Sequence, residues 1–282
     1  MRRTFLIATL SLAVWGVLAA DAIFDLALTH SASQPAAAAP APTATPAAQP
    51  TTGPKYTFVL VHGAWAGGWE WKKVGQRLLD DGHTVYRPTH TGQGERVHLA
   101  NADISLDTHI ADIVNVILFE DLRDIVLMGH SYGGMVITGV ADKVPERIRC
   151  LVYVDAFLPE DGESLNTMTG GRGRPATDGF VGNAPRPDQR PPYTVLQSAK
   201  TFSQPVSLKN PAARKIPAAF ILTVDAGRKP EEDGFFKSYQ RAQARGWFTE
   251  IMEGGHVVNQ THPAELVKLL EAAPTKAKVS PQ

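Results

Sequence analysis

From Tyr56 onward the chain repeats one unit, a short unbroken apolar run followed by a segment whose apolar residues recur at helical spacing. The runs are Tyr56–Val61, His83–Pro88, Asp124–Met128, Ile148–Phe157, Ala218–Val224 and Phe248–Met252. The intervening segments predict helices over 70–80, over Leu106–Phe119 (Ile110, Ile113, Val114, Ile117, Leu118), from the Gly-rich stretch after Met128 to about Ala141, and over 235–244. Pro263 opens a last helix, at a position where its missing N–H is harmless. Strands apolar on both sides must be covered on both faces. The alternation therefore predicts an α/β protein with a mostly parallel sheet of about six strands flanked by helices. Between Pro159 and Pro217 the alternation stops, and Gly and Pro recur. That stretch is too long for a plain connection and reads as an irregular cap insertion.

The first fifty residues differ in kind. Arg2 and Arg3 precede an uncharged run, Phe5–Ala20, and together they read as an export signal or, if uncleaved, a membrane anchor over residues 1–30. Sixteen residues fall short of the ~20 a membrane span needs, and Asp21 and Asp25 interrupt any extension. The Arg pair also resembles a twin-arginine signal. These features predict an exported protein, periplasmic or secreted, with a possible tether to the membrane. Residues 31–54 are Ala, Pro, Ser, Thr, Gln and Gly almost throughout, a disordered linker by composition. This leaves 55–275 as the folded domain and 276–282 as a short tail. Twenty-eight basic residues balance 28 acidic ones, so no charged stripe points to nucleic acid. Cys150 is the only cysteine, which excludes a disulfide within the chain, and its apolar run marks it as a small buried hydrophobe.

The chemistry-bearing feature is Gly129-His130-Ser131-Tyr132-Gly133, directly after an apolar run and before a helical segment. A strand–turn–helix of this kind projects its serine above the sheet, with the next helix aiming amides at it. A hydroxyl needs a base to become a nucleophile. Among nine histidines the base candidate is His256, in Glu253-Gly254-Gly255-His256, which comes off the last run shortly before the last helix. The third member, a carboxylate that orients the imidazole, has two candidates. Asp225 follows the fifth run and is preferred over Asp155, near the end of the fourth, with Asp233 a distant third. The backbone amides of Tyr132 and Ala64 are the candidates for an oxyanion hole. Trp65, Trp69, Tyr132, Phe157 and Phe180 are candidate walls of an apolar pocket.

Five segments, VHGAWAGGWEW (61–71), TGQGER (91–96), GHSYGG (129–134), YVDAFLPEDG (153–162) and EGGH (253–256), carry a resemblance to a family. In order and spacing, from Phe58 to about Ala272, they resemble the small α/β hydrolases that include plant methyl esterases, hydroxynitrile lyases and bacterial esterases. The resemblance implies the α/β-hydrolase fold, a Ser131/His256 triad, an oxyanion hole from Ala64 and Tyr132, and no cofactor. No metal-ligand set is read from the sequence. The lyases carry threonine where Gly63 stands and lysine where Val257 stands, which favours hydrolysis of a small-molecule ester. Two other readings stay open: a ligand-binding protein of this fold with little turnover, and a hydrolase of lactones or of C–C or C–N bonds.

Overall fold

The computed structural model describes residues 53–171 and 176–280. The predicted signal or anchor, and the linker up to residue 52, lie outside the described residues. In chain order the described elements are β1 (Thr57–Val61), α1 (Lys72–Asp80), β2 (Thr84–Tyr86), α2 (Leu106–Phe119), β3 (Ile125–Ser131), α3 (Gly133–Lys143) and β4 (Ile148–Ala156). The cap contributes α4 (Leu165–Met168), β5 (Phe180–Val181), β6 (Gln197–Ser198) and α5 (Lys200–Ser203). The main body resumes with β7 (Ala218–Val224), α6 (Phe236–Ala244), β8 (Phe248–Glu253), α7 (Val258–Thr261) and α8 (Pro263–Lys276).

The six long strands form one sheet in the order β2-β1-β3-β4-β7-β8, every pairing parallel. Each apolar run predicted from sequence is one of these strands. The period-2 alternation of a strand sends neighbours to opposite faces. Val59 and Val61 join a core with α2, α3 and α6, while Phe58 and Leu60 join a second core with α1 and α8. β1 is flanked by β2 on one side and β3 on the other, so the chain reverses its direction of travel across the sheet between them. At such a point the loops after two neighbouring strands run apart and leave a crevice at their carboxyl ends. The functional residues collect there.

Local chemistry starts and stops the helices. Ser105 caps α2 by accepting the Thr108 amide, and the Thr108 side chain closes the box on the Ser105 N–H. The segment between β4 and β7 holds a two-stranded antiparallel hairpin (β5, β6) and two one-turn helices. Near the chain end, Lys278 pairs antiparallel with Ala218 at the start of β7 through bonds of 2.9 and 3.2 Å.

Ile113 of α2 is fully buried in the first core. Ile113→Ala removes apolar bulk where the packed sheet beneath cannot close the gap, and is expected to cost about 2–5 kcal/mol. Chemical denaturation would check this; a loss below about 1 kcal/mol would place this helix outside the cooperative core.

Candidate active site

Ser131 is the last residue of β3, and one residue, Tyr132, separates it from α3. Its φ is +54°, a left-handed conformation that costs a residue with a side chain of order 1–3 kcal/mol. The flanking glycines make that bend possible. A Cβ on Gly129 would lie 2.6 Å from the Gly133 carbonyl oxygen, and one on Gly133 would lie 2.8 Å from the carbonyl oxygens of both Val61 and His62. Gly63 is close but less tight: a Cβ there would lie 3.1 Å from Ser131 Cβ.

His256 Nε2 sits 3.1 Å from Ser131 Oγ, and His256 Nδ1 sits 2.6 Å from Asp155 Oδ2. A carboxylate can only accept, so Nδ1 carries the proton and Nε2 is left to receive the serine hydroxyl. The preference for Asp225 as the carboxylate is corrected by this geometry. Asp225 is exposed beside Gly255, and among the described residues no hydrogen bond joins it to His256. The reason lies in the pairing of β3 with β4. His130 pairs with Val154 but Ser131 pairs with Ala156, so Asp155 is the extra residue of a β-bulge, with φ +44°. A bulge re-aims its side chain, and this one turns a buried strand residue toward the imidazole. The second oxygen of Asp155 accepts the Thr223 amide at 3.2 Å, which fixes the carboxylate against β7. Asp233 stays nearby, and among the described residues no hydrogen bond joins it to His256. Its pKa is raised, first by burial and then by the Asp155 charge.

His256 is held between two rings, Phe235 stacked at 4.9 Å with planes 7° apart and His130 at 4.5 Å. His130 donates its Nε2–H to the His256 carbonyl at 2.7 Å. Burial and the neighbouring His256 push the His130 pKa down to about 3, so it is a neutral strut. Glu70 lies behind the loop after β1, buried and accepting the Gly63 amide at 3.3 Å, its pKa raised by desolvation. Sequence reasoning missed His130, Phe235 and Glu70. The charged residue inside the Gly- and Trp-rich segment 67–71 was the one available signal. Tyr132 is wholly buried, with its hydroxyl on His109 Nδ1 at 2.9 Å, while His109 Nε2 donates to the Thr91 carbonyl at 3.1 Å.

Ala64, Ser131, Tyr132 and His256 line one cavity of about 480 Å³. Its remaining walls are mostly apolar (Trp65, Phe157, Leu165, Val181, Phe202, Phe235), with Asn166, Thr169 and Ser203 as polar exceptions. Trp69 and Phe180, expected in the wall, are not part of it. Trp69 packs over Gly67, and Phe180 precedes Val181 on a strand whose alternation turns only Val181 inward.

The chain belongs to the alpha/beta hydrolase family, whose model matches residues 58–269. It is 56% identical over 111 residues to a carbendazim hydrolyzing esterase of Nocardioides sp. (strain SG-4G), a match covering 39% of this chain and 46% of that protein. It is 35% identical over 112 residues to Methylesterase 2 of Arabidopsis thaliana, covering 39% and 43%. The match thus spans less than half the length of these two relatives. Among solved structures, an extracellular alpha/beta-hydrolase from a Paenibacillus species superposes with a TM-score of 0.62 at 27% identity, over 77% of this chain and 98% of that one.

His62, His90, His109 and His130 are all buried and held neutral, chiefly by desolvation, with His109 and His130 at about 3. In the unfolded chain these groups take a proton as pH falls through about 6.5. The folded state does not follow, so stability is fully present above that value and lost as pH falls toward 3. The thermal midpoint is expected to drop between pH 7.5 and 5. A midpoint that holds or rises over that interval would show that the imidazoles are solvated.

Proposed function

We propose that the chain is a serine esterase cleaving small carboxylic esters through an acyl-enzyme. The observation that carries this is the line Ser131–His256–Asp155, with the hydroxyl on Nε2 and the carboxylate on Nδ1. His256 takes the Ser131 proton as the oxygen attacks the ester carbonyl, and the developing oxyanion is held by the amides of Ala64 and Tyr132. His256 then gives that proton to the leaving alcohol. In the second half it takes a proton from water as the water attacks the acyl carbon, then gives that proton to Ser131 Oγ as the carboxylic acid leaves. Asp155 stabilises the imidazolium formed at both stages and holds the tautomer. The walls of the cavity suit an ester with an apolar or aromatic body. A relative that hydrolyses carbendazim and a relative named methylesterase support ester cleavage on this scaffold. A binding protein has no need of a serine in a strained left-handed turn, which favours turnover over simple ligand capture. The Arg2-Arg3 pair and the apolar run after it support export of the protein, which the N-terminal mass of the protein from cell fractions would test.

Two substitution experiments test the catalytic reading. Ser131→Ala is expected to cost several orders of magnitude in turnover of p-nitrophenyl acetate and to abolish labelling by a fluorophosphonate. Labelling that persists would place the nucleophile elsewhere. Asp155→Asn should lower kcat by up to about 10⁴-fold, since the amide can present its own N–H to Nδ1 and trap the wrong tautomer. Asp225→Asn should keep most of the activity. The reverse ranking, in folded variants, would return the third role to Asp225.

A further inference from the structure

Trp65 is the strained residue of the site that the mechanism leaves unused. It follows Ala64 directly and has a φ of +64°, a conformation that disfavours any bulky side chain. The segments of the cap around and within the β5–β6 hairpin hold it there at three points. Trp65 donates its backbone N–H to Gln197 Oε1 at 2.9 Å and its indole N–H to the Val181 carbonyl at 3.0 Å, and its own carbonyl accepts the Val195 amide at 2.8 Å. Gly182 makes room for the indole, since a Cβ there would lie 2.7 Å from its Cδ1. The Gln197 side chain is itself oriented. It is 1% exposed, and its Nε2 donates to Thr201 Oγ1 at 2.8 Å, whose hydroxyl donates to the Ser198 carbonyl at 2.7 Å. Turning the amide over would face its NH₂ against the Trp65 N–H.

We propose that Gln197 is a positioning residue that sets the direction of the Ala64 amide through Trp65. The inference rests on the reading of Ala64 as an oxyanion donor given above. Rotation about the Trp65 N–Cα bond swings the peptide joining Ala64 to Trp65 and carries Ala64 with it. Strain favours that rotation, and the bond to Gln197 opposes it. Gln197 does not line the cavity, so it acts without touching substrate. The cap, 132 residues away along the chain, thereby completes the oxyanion hole as well as covering the pocket.

The test compares Gln197→Met, which keeps the length and loses the acceptor, with Gln197→Glu, which keeps the acceptor. With p-nitrophenyl acetate, Gln197→Met is expected to lower kcat about 10- to 100-fold. KM should stay within about twofold, because the lost interaction counts only in the transition state. The inhibition constant of an aryl trifluoromethyl ketone, whose adduct with Ser131 puts an oxyanion in the same place, should rise by the same factor. Gln197→Glu should recover most of kcat. A kcat for Gln197→Met within twofold of wild type, or a loss of kcat that leaves the ketone's inhibition constant unchanged, would overturn the proposal. If Gln197→Met does not fold by near-UV circular dichroism, Thr201→Val replaces it. By releasing the amide, it should show the same split between kcat and KM, and its absence would equally overturn the proposal. Turnover that persists in Ser131→Ala strikes the esterase reading itself. A Ser131-dependent enzyme indifferent to Gln197→Met strikes only this inference.

Discussion

The 2.6 Å hydrogen bond between His256 and Asp155 is the interaction on which the site depends. It ties the loop after β8, at one edge of the sheet, to the end of β4 in the middle, across 101 residues of chain. It fixes which imidazole nitrogen faces Ser131, and so decides whether the serine meets a base or a donor. The bond is possible because two left-handed residues, Ser131 and Asp155, end neighbouring parallel strands at a break in register. Strain at two points in the backbone is held in place by the closely packed sheet around it.

Behind this pair lies a polar layer that never reaches the pocket. His62 donates to the Gly63 carbonyl and accepts the His90 amide, His109 receives the Tyr132 hydroxyl, and Glu70 takes the Gly63 amide. Side chains that share the burial of core residues thus act as spacers beneath the loops that carry Ala64 and Tyr132. Their rings crowd together, His90 stacked on His109 at 4.5 Å and tilted by 42° against His62 at 4.1 Å. Burial, and for His90 and His109 the repulsion of neighbouring imidazoles, keeps all three neutral, so the same groups that brace the site make it sensitive to acid.

The fold was legible in the sequence because strands covered on both faces must be apolar throughout, and from Tyr56 onward each such run is a strand of the sheet. Ser131 and His256 were legible for a related reason, since each directly follows such a strand within a short Gly-rich turn. Asp155 was harder. The choice between it and Asp225 turned on a one-residue slip between β3 and β4, and a bulge leaves no mark on composition or periodicity. Gln197 and Phe235 were invisible because each acts through a partner more than twenty residues away, a pairing only the folded chain defines.

Asp155 also changes what the loop after β7 is required to do. With the carboxylate supplied from β4, residues 226–232 are released from holding a charged group in register with His256, and they lie at or near the surface without reaching the pocket. The stretch between Asp225 and Asp233 is held by its own Arg228–Glu232 pair, while Phe235 beyond it stays pinned against the imidazole. For anyone grafting a binding peptide or a tether onto this scaffold, this stretch is an insertion point that the chemistry leaves unclaimed.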